Sequence, residues 1–171
     1  MEFTVRSYRS EDFLTLWRID QSCFEPGIAY SEQELKRYLS WPSTFTLIAE
    51  RETVDNRLIE KSGVDSRIIG FLVANRGKAA GHIITIDVRA DARGNRVGSA
   101  LLDSAENHLR SAACRTVRLE TAVDNLGALG FYKKHRYSVV KTVPRYYSNG
   151  VDALVLEKDL HSPLPSDNLQ R

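Results

Sequence analysis

The segment IITIDVRADARGNRVGSALL, residues 83–102, decides how this chain is read. Ile83 to Val88 is an apolar run of strand length, a polar turn follows, and Arg93-Gly94-Asn95-Arg96-Val97-Gly98 leads into a helix. A strand, a glycine-bearing turn and a helix start together make an anion site. The first N–H groups of a helix have no intrahelical partner, and the helix dipole adds partial positive charge there. Arg93 and Arg96 add guanidinium forks that suit phosphate oxygens. Taken alone, the hexapeptide is equally a strand-to-helix turn with surface arginines. A dinucleotide fingerprint would need three glycines with an acidic residue about 20 positions on, and that pattern is absent here.

Downstream, Val97, Ala100, Leu101, Ser104, Ala105, His108, Leu109 and Ala112 keep a 3.6-residue period and predict a helix. Thr116 to Val123 then alternates, with Val117, Leu119, Thr121 and Val123 on one face and Arg118, Glu120 and Ala122 on the other. Strand, helix and strand in this order predict a parallel pair with a right-handed crossover. Asn125 caps a short helix to about His135, and Tyr137–Val143 and Val151–Lys158 form a closing hairpin around Ser148-Asn149-Gly150.

Upstream, Phe3–Tyr8 alternates as a first strand, and Phe13, Leu14, Leu16, Trp17 and Ile19 stripe a helix that ends near Phe24. Ser31 and Glu34 form a capping box for a second helix to about Ser40, which Trp41-Pro42 stops. Phe45–Glu50 and Arg67–Asn75 read as strands, with residues 51–66 as an extended hairpin connection and residues 77–81 as a turn. The resulting order is β-α-α-β-β-β-α-β-α-β-β. Residues 1–160 are expected to form one domain, and residues 161–171, polar with two prolines, a disordered tail.

With 171 residues, 42% apolar and 27% charged, the composition is that of an ordinary globular chain. A net charge of +2 gives no argument for nucleic acid, and no apolar run approaches membrane-spanning length. Cys23 and Cys114 have neither metal nor redox spacing, nor are His82, His108, His135 and His161 spaced as metal ligands. A reduced cytoplasmic protein without a metal, a monomer or weak homodimer, is the expectation.

The loop resembles the [QR]-x-x-G-x-[GA] pyrophosphate loop of the GNAT acetyltransferases, with Arg96 where the family has its first glycine and Gly98 as the second. The element order is that of the GNAT fold, an α/β (α+β) arrangement with a mixed central sheet of about seven strands and four helices. The resemblance implies acetyl-CoA as co-substrate, held by Ile86, Asp87 and Val88 of a bulged strand, by Arg93, Gly94, Asn95, Arg96, Val97, Gly98 and Ser99, and by Asn125. Asn125-Leu126-Gly127-Ala128-Leu129-Gly130-Phe131-Tyr132 is similar to the family's N-x-x-A-[IL]-x-[FL]-Y, which implies that Tyr132 lies near the thioester sulfur and protonates the leaving thiolate. Where the family continues to a glycine that ends the helix, this chain has Arg136, followed by Tyr137.

Val117-Arg118-Leu119-Glu120 followed by Tyr132, and Pro144-Arg145-Tyr146-Tyr147 followed by Asp152-Ala153, resemble the RimI-type N-terminal alanine acetyltransferases. That subgroup implies Glu120 as base through water, Tyr132 as acid, and Tyr146, Tyr147, Phe24 and Tyr30 around a peptide-binding mouth. Singly, each residue also has an ordinary reading: a strand-end carboxylate, a helical packing tyrosine, strand-end aromatics. An α-amine has pKa about 7.7–8.0 against about 10.4 for lysine, so it asks less of a base, which favours a protein N-terminus as acceptor. A small-molecule amine as acceptor, or an acyl-CoA-binding regulatory module without turnover, are the alternatives.

Overall fold

A computed structural model describes residues 1–52 and 65–161. The connection expected between residues 51 and 66 falls largely outside the described residues, as does the expected tail beyond His161. The elements are β1 (Phe3–Ser7), α1 (Phe13–Cys23), α2 (Glu32–Ser40), β2 (Thr44–Arg51), β3 (Ile68–Arg76), β4 (Ala80–Val88), α3 (Val97–Ser111), β5 (Thr116–Ala122), α4 (Leu126–Lys134), β6 (Ser138–Val143) and β7 (Ala153–Asp159). The seven strands lie in the order β1-β2-β3-β4-β5-β7-β6; β4 and β5 pair in parallel and the other neighbours antiparallel. No helix among the described residues is long and apolar enough to cross a membrane.

Apolar side chains alternate across this sheet and fill two cores. Ile48, Phe71 and Val73 meet Leu16 and Ile19 of α1 and Leu35 of α2. On the opposite face, Ile69, Leu72, Ile83, Val117 and Leu119 meet Leu101, Leu102, Ala105 and Leu109 of α3, together with Tyr132 of α4. β4 begins three residues earlier than its apolar run suggests. Gly77 N–H bonds Ala80 O at 3.0 Å to close a tight hairpin, and Ala80 and Gly81 are needed to pair with β5. Gly81 also lies under α3: a Cβ there would stand 2.5 Å from Leu109 Cδ1, so only glycine lets helix and strand approach this closely.

The inward face of α3 is wider than its small and apolar stripe. Leu102 and Glu106 are buried, whereas His108 is exposed and stacks on Phe45. Glu106, 2% exposed, accepts from Tyr137 Oη at 3.0 Å and pairs with Lys158 Nζ at 2.6 Å and Arg110 Nη2 at 3.2 Å. Its burial carried no sequence signal, because beyond Arg110 on α3 itself its partners come from β7 and from the segment after α4.

Both arginines that stand where the family has glycine adopt left-handed backbone. Arg96 precedes α3 with φ 63°, and Arg136 follows α4 with φ 68°. At Arg136 the helix closes in a Schellman motif, with Tyr137 N–H to Tyr132 O and Arg136 N–H to Lys133 O, each 3.0 Å. The geometry that glycine normally supplies is therefore kept at a cost of about 1–2 kcal/mol per site, partly offset by glycine's greater unfolded-state freedom. Arg136→Gly is expected to stabilise the protein by about 0.5–1 kcal/mol, read as a higher urea midpoint with unchanged slope.

Candidate active site

The site begins as a fault in the sheet. Val73 pairs with Thr85 and Ala74 with Ile83, so Ile84 is an extra residue bulged out of β4. β5 pairs with β4 only through Ala80–Thr116, Gly81–Val117 and His82–Arg118; beyond these the strands part and β5 is held by β7. Arg89 N–H donates to Ile69 O on β3 at 2.9 Å, and because N–H directions alternate along a strand, those of Val88 and Ile86 point into the gap. Tyr30 Oη donates to Ile84 O at 3.3 Å, satisfying the carbonyl that the bulge exposes.

One mouth of the gap is the start of α3. Asn95 Nδ2 donates to Ala92 O and Arg93 O, at 3.3 and 3.2 Å, and fixes the turn through Gly94, whose φ is 77°. The helix ladder opens with Ala100 N–H to Arg96 O, which leaves the N–H groups of Val97, Gly98 and Ser99 as the orphan donors of a helix start. Ser99 Oγ and His135 Nε2 lie 3.0 Å apart and tie α3 to α4. Gly98 sits beneath the Phe131 ring. Arg93 folds back on the strand, with Nε on Val88 O at 3.0 Å and Nη2 on Cys23 Sγ at 3.5 Å. Asn125 Oδ1 accepts from Ala128 N–H at 3.1 Å as the N-cap of α4.

On the opposite face of the sheet Glu120 Oε2 lies 2.6 Å from His82 Nε2, with the two side chains 22% and 42% exposed. The pair sits where β4 and β5 part. The carboxylate of Glu120 raises the phenol pKa of both Tyr146 and Tyr147, although burial is the first cause for each; Tyr147 is pushed up to about 12. Tyr30 is packed between the bulge and α1, with Phe24 half-buried at the other end of the α1–α2 loop. Ser148 Oγ donates to Gly27 O at 2.6 Å and joins the two walls of this mouth. Gly27 has φ 92° and a Cβ there would meet Ser148 Oγ at 3.0 Å, so the latch is built around a glycine. Ser148→Ala is expected to speed amide hydrogen exchange in the α1–α2 loop about threefold to tenfold, the worth of one hydrogen bond.

Tyr132 reaches toward the gap from the other core. It is 6% exposed, its ring lies edge-on to Phe131 and Tyr137, and its hydroxyl bonds no described residue. Burial holds its pKa well above that of a free phenol, and the charge of Asp87 and the neighbouring Tyr147 add to this, so the hydroxyl keeps its proton at neutral pH. Glu120 thus acts on Tyr146 and Tyr147, Tyr146 on Tyr30, and Tyr147 on Tyr132, which links the two faces through their charges.

His82, Tyr38, Trp41 and Ser148 join them without having been singled out from sequence. The alternation of β4 and β5 puts His82 and Glu120 on one face, but only the parallel register, which sequence does not carry, sets them in contact. Tyr38 stacks edge-on with Tyr30 and with Trp41, both at 5.0 Å, and extends the aromatic wall along α2. Its helical position marked it only as amphipathic.

Comparison with known proteins agrees with this architecture. An uncharacterized N-acetyltransferase of Methanocaldococcus jannaschii is 35% identical over 96 residues, which cover 56% of this chain and 62% of that protein. This match thus spans less than two thirds of the relative's length. N-alpha-acetyltransferase 30 of Saccharomyces cerevisiae is 31% identical over 144 residues, 81% of this chain and 75% of that one. Among solved structures, a chain of the NatC complex bound to Gag peptide and CoA superposes with a TM-score of 0.75 at 27% identity, covering 93% of this chain and 99% of that chain. Residues 13–137 match the model of the acetyltransferase (GNAT) family. The chain belongs to that family.

Proposed function

We propose that this protein transfers an acetyl group from acetyl-CoA directly to a primary amine, and that the amine is the N-terminal α-amine of a protein. The observation that carries the reading is the parting of β4 from β5, which joins two differently equipped faces of the sheet through one gap. The chain's groups fit the co-substrate. The N–H groups of Ile86 and Val88 suit its amide-bearing arm and the acyl oxygen, and the N–H groups of Val97, Gly98 and Ser99, with Gly94 and Arg96, suit its pyrophosphate. Acetyl-CoA supplies an acyl carbon already activated as a thioester.

Glu120, oriented by His82, takes the acceptor's proton through water. The C–N bond forms as the C–S bond breaks, and Tyr132 gives its hydroxyl proton to the thiolate. An α-amine is partly neutral at pH 7–8, so it asks little of its base. Tyr30, Tyr146, Tyr147, Phe24, Tyr38 and Trp41 form an aromatic mouth that suits a polypeptide end better than a compact polar amine. The name of the yeast relative and the peptide in the NatC structure support the same acceptor class. The Arg145-Tyr146-Tyr147 ending, with Glu120 and Tyr132, favours a RimI-like acceptor within it, and the free thiols Cys23 and Cys114 suit a reducing cytoplasm.

Thiol release from acetyl-CoA tests the proposal with two peptide sets. One carries free α-amines on Ala, Ser or Met and no lysine; the other is blocked at its α-amine and contains one internal lysine. Turnover confined to the first set is expected, and the preferred first residue names the substrate class. Turnover on the blocked set would overturn the α-amine reading. Silence on both, with CoA still bound, would leave a small-molecule acceptor or a binding module.

A further inference from the structure

Two carboxylates beneath the acceptor mouth have no place in the chemistry above. Asp20 on α1 is 0% exposed and Asp87 on β4 is 1% exposed, and each has one oxygen without a partner, Asp20 Oδ1 and Asp87 Oδ2. Asp87 pairs in register with Phe71, whose side chain packs against α1, so its own side chain faces α1 as well. The other oxygens are used. Asp87 Oδ1 accepts from Thr85 Oγ1 at 3.2 Å, while Asp20 Oδ2 accepts from Tyr30 N–H at 2.9 Å and Gln21 Nε2 at 3.0 Å.

Buried carboxylates that lack partners destabilise a fold, and the charge of Asp20 adds to the burial of Asp87. Neither is compensated by a cation. Around Asp87 stand Asp20 and Cys23 of α1, Tyr30 of the α1–α2 loop, Arg93 of the β4–α3 loop and Tyr132 of α4; around Asp20 stand Gln21, Tyr30, Glu34 of α2 and Asp87. Arg93 is the one cation among them, and its guanidinium is spent on Val88 O and Cys23 Sγ. A single proton lessens the conflict, since it leaves only one of the two buried carboxylates charged. Burial, then mutual repulsion, lifts Asp87 well above the ordinary aspartate range; burial lifts Asp20 to about 6.

What the pair holds is the acceptor wall. Asp20 fixes Tyr30 N–H, Tyr30 Oη reaches the bulge carbonyl of Ile84, and Trp17 Nε1 donates to Tyr30 O at 3.3 Å. We propose that Asp20 and Asp87 are positioning residues that share one proton, and that this proton keeps α1 and Tyr30 seated against β4 so that the acceptor mouth is formed. When the proton leaves for solvent, two negative charges face each other in a poorly polarisable interior and press α1, with its loop, away from the strand. The role of Tyr30 in the mouth rests on the acyl-transfer reading; the shared proton does not.

Both groups hold protons more tightly folded than unfolded, so their contribution is full below the unfolded value of about 3.9 and is lost as pH rises through the folded values. Asp87→Asn, neutral at every pH, is therefore expected to raise the melting temperature at pH 8 relative to the parent.

The test uses Trp17 as reporter in a Trp41→Phe background, which leaves it as the single tryptophan. Its emission is expected to change along a one-proton curve above the ordinary aspartate range, and Asp87→Asn is expected to abolish the change. Asp20→Asn serves as a second variant, because its amide oxygen can still accept from Tyr30 N–H. In parallel, the acceptor KM of the parent should rise about tenfold more between pH 6 and 9 than that of Asp87→Asn, with a smaller effect on kcat; the amine's own titration is common to both proteins and cancels. Flat emission in the parent, or the same transition in both Asn variants, overturns the proposal. Absence of turnover on any amine would sink the acyl-transfer reading alone, because the fluorescence titration needs no substrate.

Discussion

Tyr132→Phe should lower kcat by about 100-fold or more while acetyl-CoA affinity stays within about twofold, as measured by thiol release and by direct titration. The substitution is clean. The Tyr132 ring is packed edge-on between Phe131 and Tyr137, and phenylalanine keeps those contacts. The hydroxyl bonds no described residue, so its loss leaves no buried partner unsatisfied. What disappears is one proton, held there because burial keeps the phenol from ionising. Glu120→Gln should cost less, about tenfold, and mostly at the acidic end of the pH profile, where the α-amine is protonated and needs a base. An equal and large loss at every pH would mean that Glu120 does more than receive a proton.

The largest structural effect is expected away from the gap. Glu106→Ala should destabilise the protein by about 3 kcal/mol, seen as a lower urea midpoint and melting temperature. Glu106 binds Lys158, Arg110 and Tyr137 at once, and it joins α3 to β7 and to the segment after α4. Alanine would leave the Lys158 ammonium 15% exposed without its closest carboxylate and the Tyr137 hydroxyl without an acceptor. Glu106→Gln keeps the acceptor for Tyr137 and should lose about half as much. Because Tyr137 packs on Tyr132, Glu106→Ala should also lower kcat by loosening the Tyr132 ring.

Local signals were enough to read the order of strands and helices. The Ser31–Glu34 capping box starts α2 at Glu32, and the period from Val97 places α3 within one residue. The alternation of Thr116–Val123 separates buried Val117 and Leu119 from exposed Arg118 but fails at its end, where the strand stops at Ala122 and Val123 is exposed. The Arg93–Gly98 turn was legible because its geometry is local: Arg96 takes the left-handed backbone that glycine adopts most easily. Register was not legible. The Ile84 bulge, the parting of β4 and β5 after His82–Arg118, and hence the His82–Glu120 contact all depend on how strands distant in sequence align. Buried charge was hidden for a related reason. Asp20, Asp87 and Glu106 read as surface residues until other elements close over them.

The central claim is that an α-amine enters the gap between β4 and β5 and leaves it acetylated. One peptide carrying both a free first residue and an internal lysine, incubated with acetyl-CoA and enzyme and then fragmented in a mass spectrometer, tests this directly. The account predicts the acetyl group on the α-nitrogen alone. An acetyl group on the lysine Nζ, with the α-nitrogen free, would contradict it.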